Sequence, residues 1–314
     1  VSVDVDTSSG AVMATNIGHM LVGFVRALEL NRPDILVLLG DRGEMLAGAL
    51  AAIHLRIPIV HLHGGERSGT VDESVRHAIS KFANLHLVTT SSSRDRLIRM
   101  GEKSEFIHVV GAPGVDGLVE LATLNRRELC EQICFDHTLP VVLVIYHPVL
   151  NEAMEASQQV LCLVEAALSI GLQVLALMPN SDDGSDAIRD VLTLKYREGS
   201  IALRTHLKRS EFVSWMAAVD VMIGNSSSGI IEASTFGTPV VNVGSRQNLR
   251  ERNANVIDVP VGTDEIRAAL KAALKHGRYP NINIYGDGSA GKRIVELLAT
   301  ADLSYCRLTK SNAY

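Results

Sequence analysis

The chain has 314 residues, enough for about two domains of roughly 150 residues each, and its 46% hydrophobic and 21% charged content can fill two cores, which argues against disorder. A net charge of −5 gives no general field for nucleic acid, so basic groups that matter must be placed locally. Cys130, Cys134, Cys162 and Cys306 form no CxxC pair, residues 1–6 are too acidic for a signal peptide, and no apolar run is read as approaching the roughly 20 residues of a membrane span; the expectation is a soluble, cytoplasmic protein with no nucleic-acid or membrane partner.

Residues 13–30 predict a helix, and residues 34–40 are an apolar run that suits a strand buried on both faces. A helix over 42–55 follows, then strand 57–62, helix 72–82, strand 85–89, helix 92–100 and strand 106–110. Alternation of this kind predicts a parallel sheet covered by helices. Two polar helical stretches run on to about Phe135, where the domain junction is expected, giving domains 1–135 and 136–314. The second half repeats the pattern: strand 141–146, helix 152–169, strand 172–177, helix 185–196, strand 201–204, helix 209–218, strand 219–223, strands 239–243 and 255–259, and helix 263–275. A last helix over 290–299 is expected to pack back across the junction. The fold class is therefore α/β, two doubly wound Rossmann-like domains, with the ligand expected at the carboxyl ends of the sheets in a cleft between them. A doubly wound domain usually starts with a strand, yet residues 1–16 are polar, so an amino-terminal strand is expected to be missing.

In the second half, Gly224-Asn225-Ser226-Ser227-Ser228-Gly229 links strand 219–223 to a helix expected over 230–236. Strand, small-residue turn and helix make a place for an anion, because glycines admit close approach and the first helical N–H groups have no partner within the helix. Glu232 would repel a phosphate, so it is expected to accept from neutral hydroxyls such as a ribose diol. The plainer reading is a capped helix with a surface serine run.

In the first half, Gly40-Asp41-Arg42 and the run from His61 to Glu73 follow two strand ends. Asp41 alone could cap a helix and His61 alone could be a satisfied core histidine. His63, Glu66 and Asp72 crowd one glycine-rich loop, and neighbouring carboxylates push their pKa values apart, as acid/base catalysis requires. His61, His63 and Glu66 can also be read as a mixed metal shell. Arg76 and His77 read most simply as a solvated or packing face.

These runs, with Arg76-His77-Ala78-Ile79-Ser80-Lys81, His147-Pro148, Pro179-Asn180, the serine turn with Glu232, Gly237-Thr238-Pro239-Val240-Val241-Asn242, Ser245-Arg246-Gln247 and Ile284-Tyr285-Gly286-Asp287-Gly288, closely resemble the hydrolysing UDP-N-acetylglucosamine 2-epimerases of sialic acid biosynthesis. The resemblance implies a glycosyltransferase-B-like domain pair. It implies conversion of UDP-N-acetylglucosamine and water to N-acetylmannosamine and UDP through a 2-acetamidoglucal, without metal or cofactor. Asp41, His63 and Asp72 become the acid/base candidates with Glu66 in the same loop, and Arg42 faces the phosphates or sugar. His147, Asn180, Ser226, Ser227, Glu232 and Arg246 hold UDP. Some relatives have Glu at position 63, a difference that bears on the C2 proton or on the preferred sugar. A homodimer or homotetramer is also implied, and the apolar helix 45–55 could be buried there, although packing on the sheet is the simpler use. Alternatives are a 2-epimerase of a UDP-2,4-diacetamido-trideoxy sugar on a legionaminic-type pathway, a glycosyltransferase of the same fold, and a non-catalytic sugar-nucleotide binder.

Overall fold

The computed structural model describes residues 10–67, 72–179, 184–302, 310, 311 and 313. The chain divides into two compact units, Val1–Asp116 with Tyr285–Tyr314, and Gly117–Ile284. The boundary thus lies after Asp116, where the sequence puts it near 135.

The first unit holds helix α1 (Gly10–Leu30), strand β1 (Leu36–Leu39), α2 (Gly43–Leu55), β2 (Ile59–Leu62), α3 (Asp72–Phe82), β3 (Leu85–Val88), α4 (Ser91–Arg99), β4 (Ile107–Val109) and, from the end of the chain, α12 (Ala290–Thr300). The strands pair in parallel in the order β1-β2-β3-β4. Side chains alternate between faces along β2: Ile59 packs with Ala49, Ala52, Ile79 and the α1 residue Leu28, while Val60 and Leu62 pack with Leu87 and Ile294 of α12. Asp116 seats α12 by accepting from the Ala290 and Gly291 N–H groups at 2.9 and 2.6 Å, a carboxylate at the positive end of the helix.

One sequence expectation needs correcting here. α1 is 21 residues long and is long and apolar enough, by length and composition, to cross a membrane. In the structure its residues Leu21, Phe24, Val25 and Leu28 pack in the same core as the alanines of α2.

The second unit holds α5 (Leu118–Leu121), α6 (Arg126–Glu131), β5 (Val141–Ile145), α7 (Ala156–Leu168), β6 (Gln173–Leu177), α8 (Ser185–Arg197), β7 (Ala202–Arg204), α9 (Arg209–Ala218), β8 (Val221–Gly224), α10 (Ser227–Ile231), β9 (Val240–Val243), β10 (Val256–Val259) and α11 (Thr263–His276). Its six strands are parallel in the order β10-β9-β8-β5-β6-β7. The chain leaves β5 in opposite directions to β6 and β8, so the carboxyl ends of β5 and β8 flank a topological switch point, where doubly wound sheets bind ligands. β5 is buried along its whole length. Val142 and Val144 face the core under α7, α8 and α11, and Val141, Leu143 and Ile145 face the one that holds Trp215.

Two helices are shorter than expected. The segment read as a helix over 152–169 starts as a 3-10 turn, Leu150–Glu155, with non-helical backbone at Glu152, and becomes α-helical only at Ala156. The helix expected over 230–236 begins earlier, at Ser227, and gives way to a 3-10 turn at Ala233–Phe236.

Candidate active site

The first unit gathers its polar groups at the carboxyl ends of β1, β2 and β3. Asp41 follows β1, and its carboxylate accepts from Nη2 of Arg76 on α3. The same guanidinium donates through Nη1 to the Glu66 carbonyl at 3.0 Å, so Arg76 ties the loop after β1 to the loop after β2. Arg76 is only 2% exposed. Of the two readings left open for Arg76, a solvated or a packing face, burial selects packing: Arg76 lies one helical turn before Ile79 and Ser80, both buried, and a cation in that stripe needs an anion beside it. The capping reading of Asp41 also falls, since the N-cap of α2 is Arg42. The Arg42 guanidinium is exposed and 3.8 Å from Glu44.

His63 has φ +63, in the left-handed region that an L residue with a side chain enters only at a cost of about 1–2 kcal/mol. What holds it there is visible in its neighbours. Glu66 Oε1 accepts from His63 Nδ1 at 2.7 Å and from the Thr89 hydroxyl at 2.8 Å, and Arg96 donates to the Gly65 carbonyl. Gly65 itself, at φ +74, lies so close to Ser93 that a Cβ would strike the Ser93 carbonyl. A carboxylate at Glu66 can only accept, and in the tautomer that donates to it from Nδ1 the His63 Nε2 is left as the acceptor atom. A ring oriented by a carboxylate in this way suits proton transfer.

His61 does something else. It is fully buried, its Nε2 pairs with the Gly40 carbonyl at 2.8 Å and its Nδ1 with the Ser80 hydroxyl at 3.0 Å. Both nitrogens are engaged and burial lowers its pKa to about 4, so it is a neutral structural histidine and the mixed metal shell loses its first ligand. Among the described residues no cluster of three His, Cys, Asp or Glu is placed to hold a metal. His77 stands 3.7 Å from Glu73, and burial lowers its pKa as well. Asp72 opens α3, but its side chain lies outside the described residues, as do residues 68–71.

The second unit gathers the ends of β5, β8 and β9. Gly224, at φ +137, ends β8 so near β5 that a Cβ there would strike the Ile145 carbonyl. Asn225, next in sequence, reaches the backbone of His147, which follows β5, and its carbonyl accepts from Arg246 and Gln247, which follow β9. The structure thus brings His147, Ser226 and Arg246 to one end of one sheet. Ser226 is the N-cap of α10 and its hydroxyl meets that of Ser228 at 2.8 Å, with Ser227 opening the helix. Glu232 closes α10 and accepts from Arg209 at 2.9 Å; burial raises its pKa against the pull of that arginine. Asn180 lies outside the described residues.

Thr89, Arg76, Asn225 and Arg209 were not singled out as site residues from the sequence. Only Arg76 and Asn225 carried a signal: a charge on an apolar helix face, and an asparagine at the end of a buried strand.

Comparison with known proteins places the chain in a family. Residues 1–299 match the family model described as UDP-N-acetylglucosamine 2-epimerase. The chain is 50% identical over 314 residues to the UDP-N,N'-diacetylbacillosamine 2-epimerase (hydrolyzing) of Legionella pneumophila, covering 100% of this chain and 83% of that protein. It is 32% identical over 283 residues to the UDP-N-acetylglucosamine 2-epimerase of Neisseria meningitidis serogroup B, covering 89% and 74%. The fold is shared with the crystal structure of UDP-GlcNAc 2-epimerase from Neisseria meningitidis bound to UDP-GlcNAc, at a TM-score of 0.81 and 19% identity over 95% of this chain and 84% of that one.

Proposed function

The chain belongs to the UDP-N-acetylglucosamine 2-epimerase family, and on that premise we propose that it is a hydrolysing 2-epimerase whose substrate is a UDP-2,4-diacetamido-trideoxy sugar of the UDP-N,N'-diacetylbacillosamine kind. The observation that carries the choice of sugar is the 50% identity along the whole chain to a relative named for that substrate, against 32% to one named for UDP-N-acetylglucosamine. The reading of UDP-N-acetylglucosamine as substrate, with N-acetylmannosamine as product, takes second place.

In the proposed reaction a base takes the proton from C2 while the C1–O bond to UDP breaks, giving an unsaturated glycal. Water then adds its oxygen at C1 and a proton returns to the opposite face of C2, so substrate plus water yields the free 2-epimer and UDP. Asp41, His63, Glu66 and Asp72 are the acid/base set. His63 suits the proton transfer through Nε2, with Glu66 orienting the ring and Arg76 holding the Asp41 carboxylate. His147, Asn180, Ser226, Ser227, Glu232 and Arg246 bind UDP, Arg42 meets the phosphates or sugar, and His147 and Arg246 offset the charge that builds on the β-phosphate as it leaves.

The test is UDP release from each sugar nucleotide in turn, with no acceptor present. The expected kcat/KM is about tenfold or more higher for the diacetamido substrate, since a pocket built for a second amide leaves polar groups unpaired against a hydroxyl. The reverse preference returns UDP-N-acetylglucosamine to first place. Binding of both without UDP release would leave a sensor, and activity only with an acceptor would mark a glycosyltransferase.

A further inference from the structure

One buried side chain reaches across the strand ends of the second unit, and it is not among the groups expected to meet the nucleotide. Asn225 is 1% exposed. Its Oδ1 accepts from the His147 N–H at 2.8 Å and its Nδ2 donates to the His147 carbonyl at 2.8 Å. Its own N–H donates to the Ile145 carbonyl at 3.1 Å, and its carbonyl accepts from Arg246 Nη1 at 3.1 Å and Gln247 Nε2 at 3.0 Å.

We propose that Asn225 is a positioning residue that presets the UDP site: its amide fixes the backbone of His147, and its carbonyl fixes Arg246 and Gln247, so that groups from β5, β8 and β9 are in place before the nucleotide arrives. The inference rests on the UDP reading above. The residue type follows from the partner. The backbone of one residue offers one donor and one acceptor, and an amide side chain at this reach meets both; a carboxylate lacks the donor, and glutamine is one methylene too long. Gly224 lets the turn come close enough for the pairing. A second set of bonds holds the β9 loop from its other side. Ser245 donates to Glu152 Oε1 at 2.6 Å, Gln159 to Glu152 Oε2 at 2.8 Å, and the Tyr146 hydroxyl to Gln159 at 2.8 Å. Groups ordered beforehand spare the bound state the entropy of ordering them, which is how such a frame raises affinity without touching the ligand.

Asn225→Asp gives a readout that a merely structural role would not. Ionised, the introduced carboxyl sets an acceptor against the His147 carbonyl. Protonated, it has the amide's pattern, an O–H donor beside a C=O acceptor. The charged and titratable groups around the position are Arg246 from the β9 loop, His147 from the β5 loop and, through Ser245, Glu152. Burial and the facing carbonyl raise the carboxyl's pKa above the usual carboxylate range, so lower pH restores the pairing.

The experiment is calorimetric UDP binding by the full chain and by Asn225→Asp and Gln247→Met, each well below its unfolding temperature. Affinities are compared as ratios to the unsubstituted chain at each pH, so that any pH dependence common to both proteins cancels. At about pH 8 Asn225→Asp is expected to bind UDP about tenfold or more weaker, and by about pH 5.5 the ratio should narrow toward unity. Gln247→Met loses one bond to the same carbonyl and should weaken binding about fivefold with no pH trend in the ratio. A ratio for Asn225→Asp that is flat with pH overturns the proposal alone. Should that variant not fold, unchanged affinity in Gln247→Met overturns it. No UDP binding by the unsubstituted chain overturns the nucleotide reading, and this proposal with it.

Discussion

Arg76 is the residue whose role the sequence hid most completely. The sequence left it as a solvated or packing face, and only the structure shows that it joins Asp41 to the Glu66 loop. Asp41, His63 and Glu66 were legible as candidates, being acids and an imidazole at the ends of apolar strands, and the structure links them through Arg76 and the His63–Glu66 bond. The left-handed backbone of His63 and its bond to Glu66 were not legible, since nothing local in the sequence demands them. The prediction at this scale is that Asp41→Asn lowers kcat by about 10²–10⁴-fold while UDP affinity changes little. Calorimetry with UDP alongside turnover checks it; loss of UDP binding would make Asp41 a phosphate-site or structural residue instead. Because the substitution leaves the Arg76 cation without its anion, a lower unfolding temperature should accompany it.

At the scale of elements, the strands were legible and the short helices were not. β5 and β8 are buried end to end and read as continuous apolar runs, as strands covered on both faces must. α10 is five residues long and its start is set by the hydroxyl cap of Ser226, so apolar periodicity placed it three residues late. β2 carries a prediction of its own. In the folded chain His61 stays neutral down to about pH 4, while an exposed imidazole takes up its proton near 6.5. Between those values the unfolded chain binds more protons, so stability falls as pH falls, by about 3 kcal/mol from this one group. His86, whose pKa burial lowers, acts in the same direction. Burial alone would raise Glu102, but hydrogen bonds from His86, Lys310 and Lys81 outweigh it and hold the carboxyl at about 2, so its contribution is lost only at lower pH. Urea midpoints of the unsubstituted chain should therefore drop between about pH 7 and pH 4.5, and His61→Gln should drop less. Parallel decline in both would mean that His61 is not a source of the acid sensitivity.

For the whole molecule, the alternation of strands and helices gave two parallel α/β units, and the order of motifs gave the family. The unit boundary was harder to read because α5 and α6 look like a continuation of the first half in sequence. Leu129 and Cys130 of α6 instead join the core around Trp215 and Met216 of α9. Choice of sugar was the least legible property: relatives named for different UDP sugars both match most of the chain. The central claim is the reaction itself, and proton magnetic resonance of a reaction run in deuterium oxide tests it most directly. The account predicts UDP and free 2-epimer in equal amounts, with deuterium at C2 of the released sugar. A 2-epimer still carrying UDP, or a released sugar that keeps its original C2 proton and configuration, would contradict it.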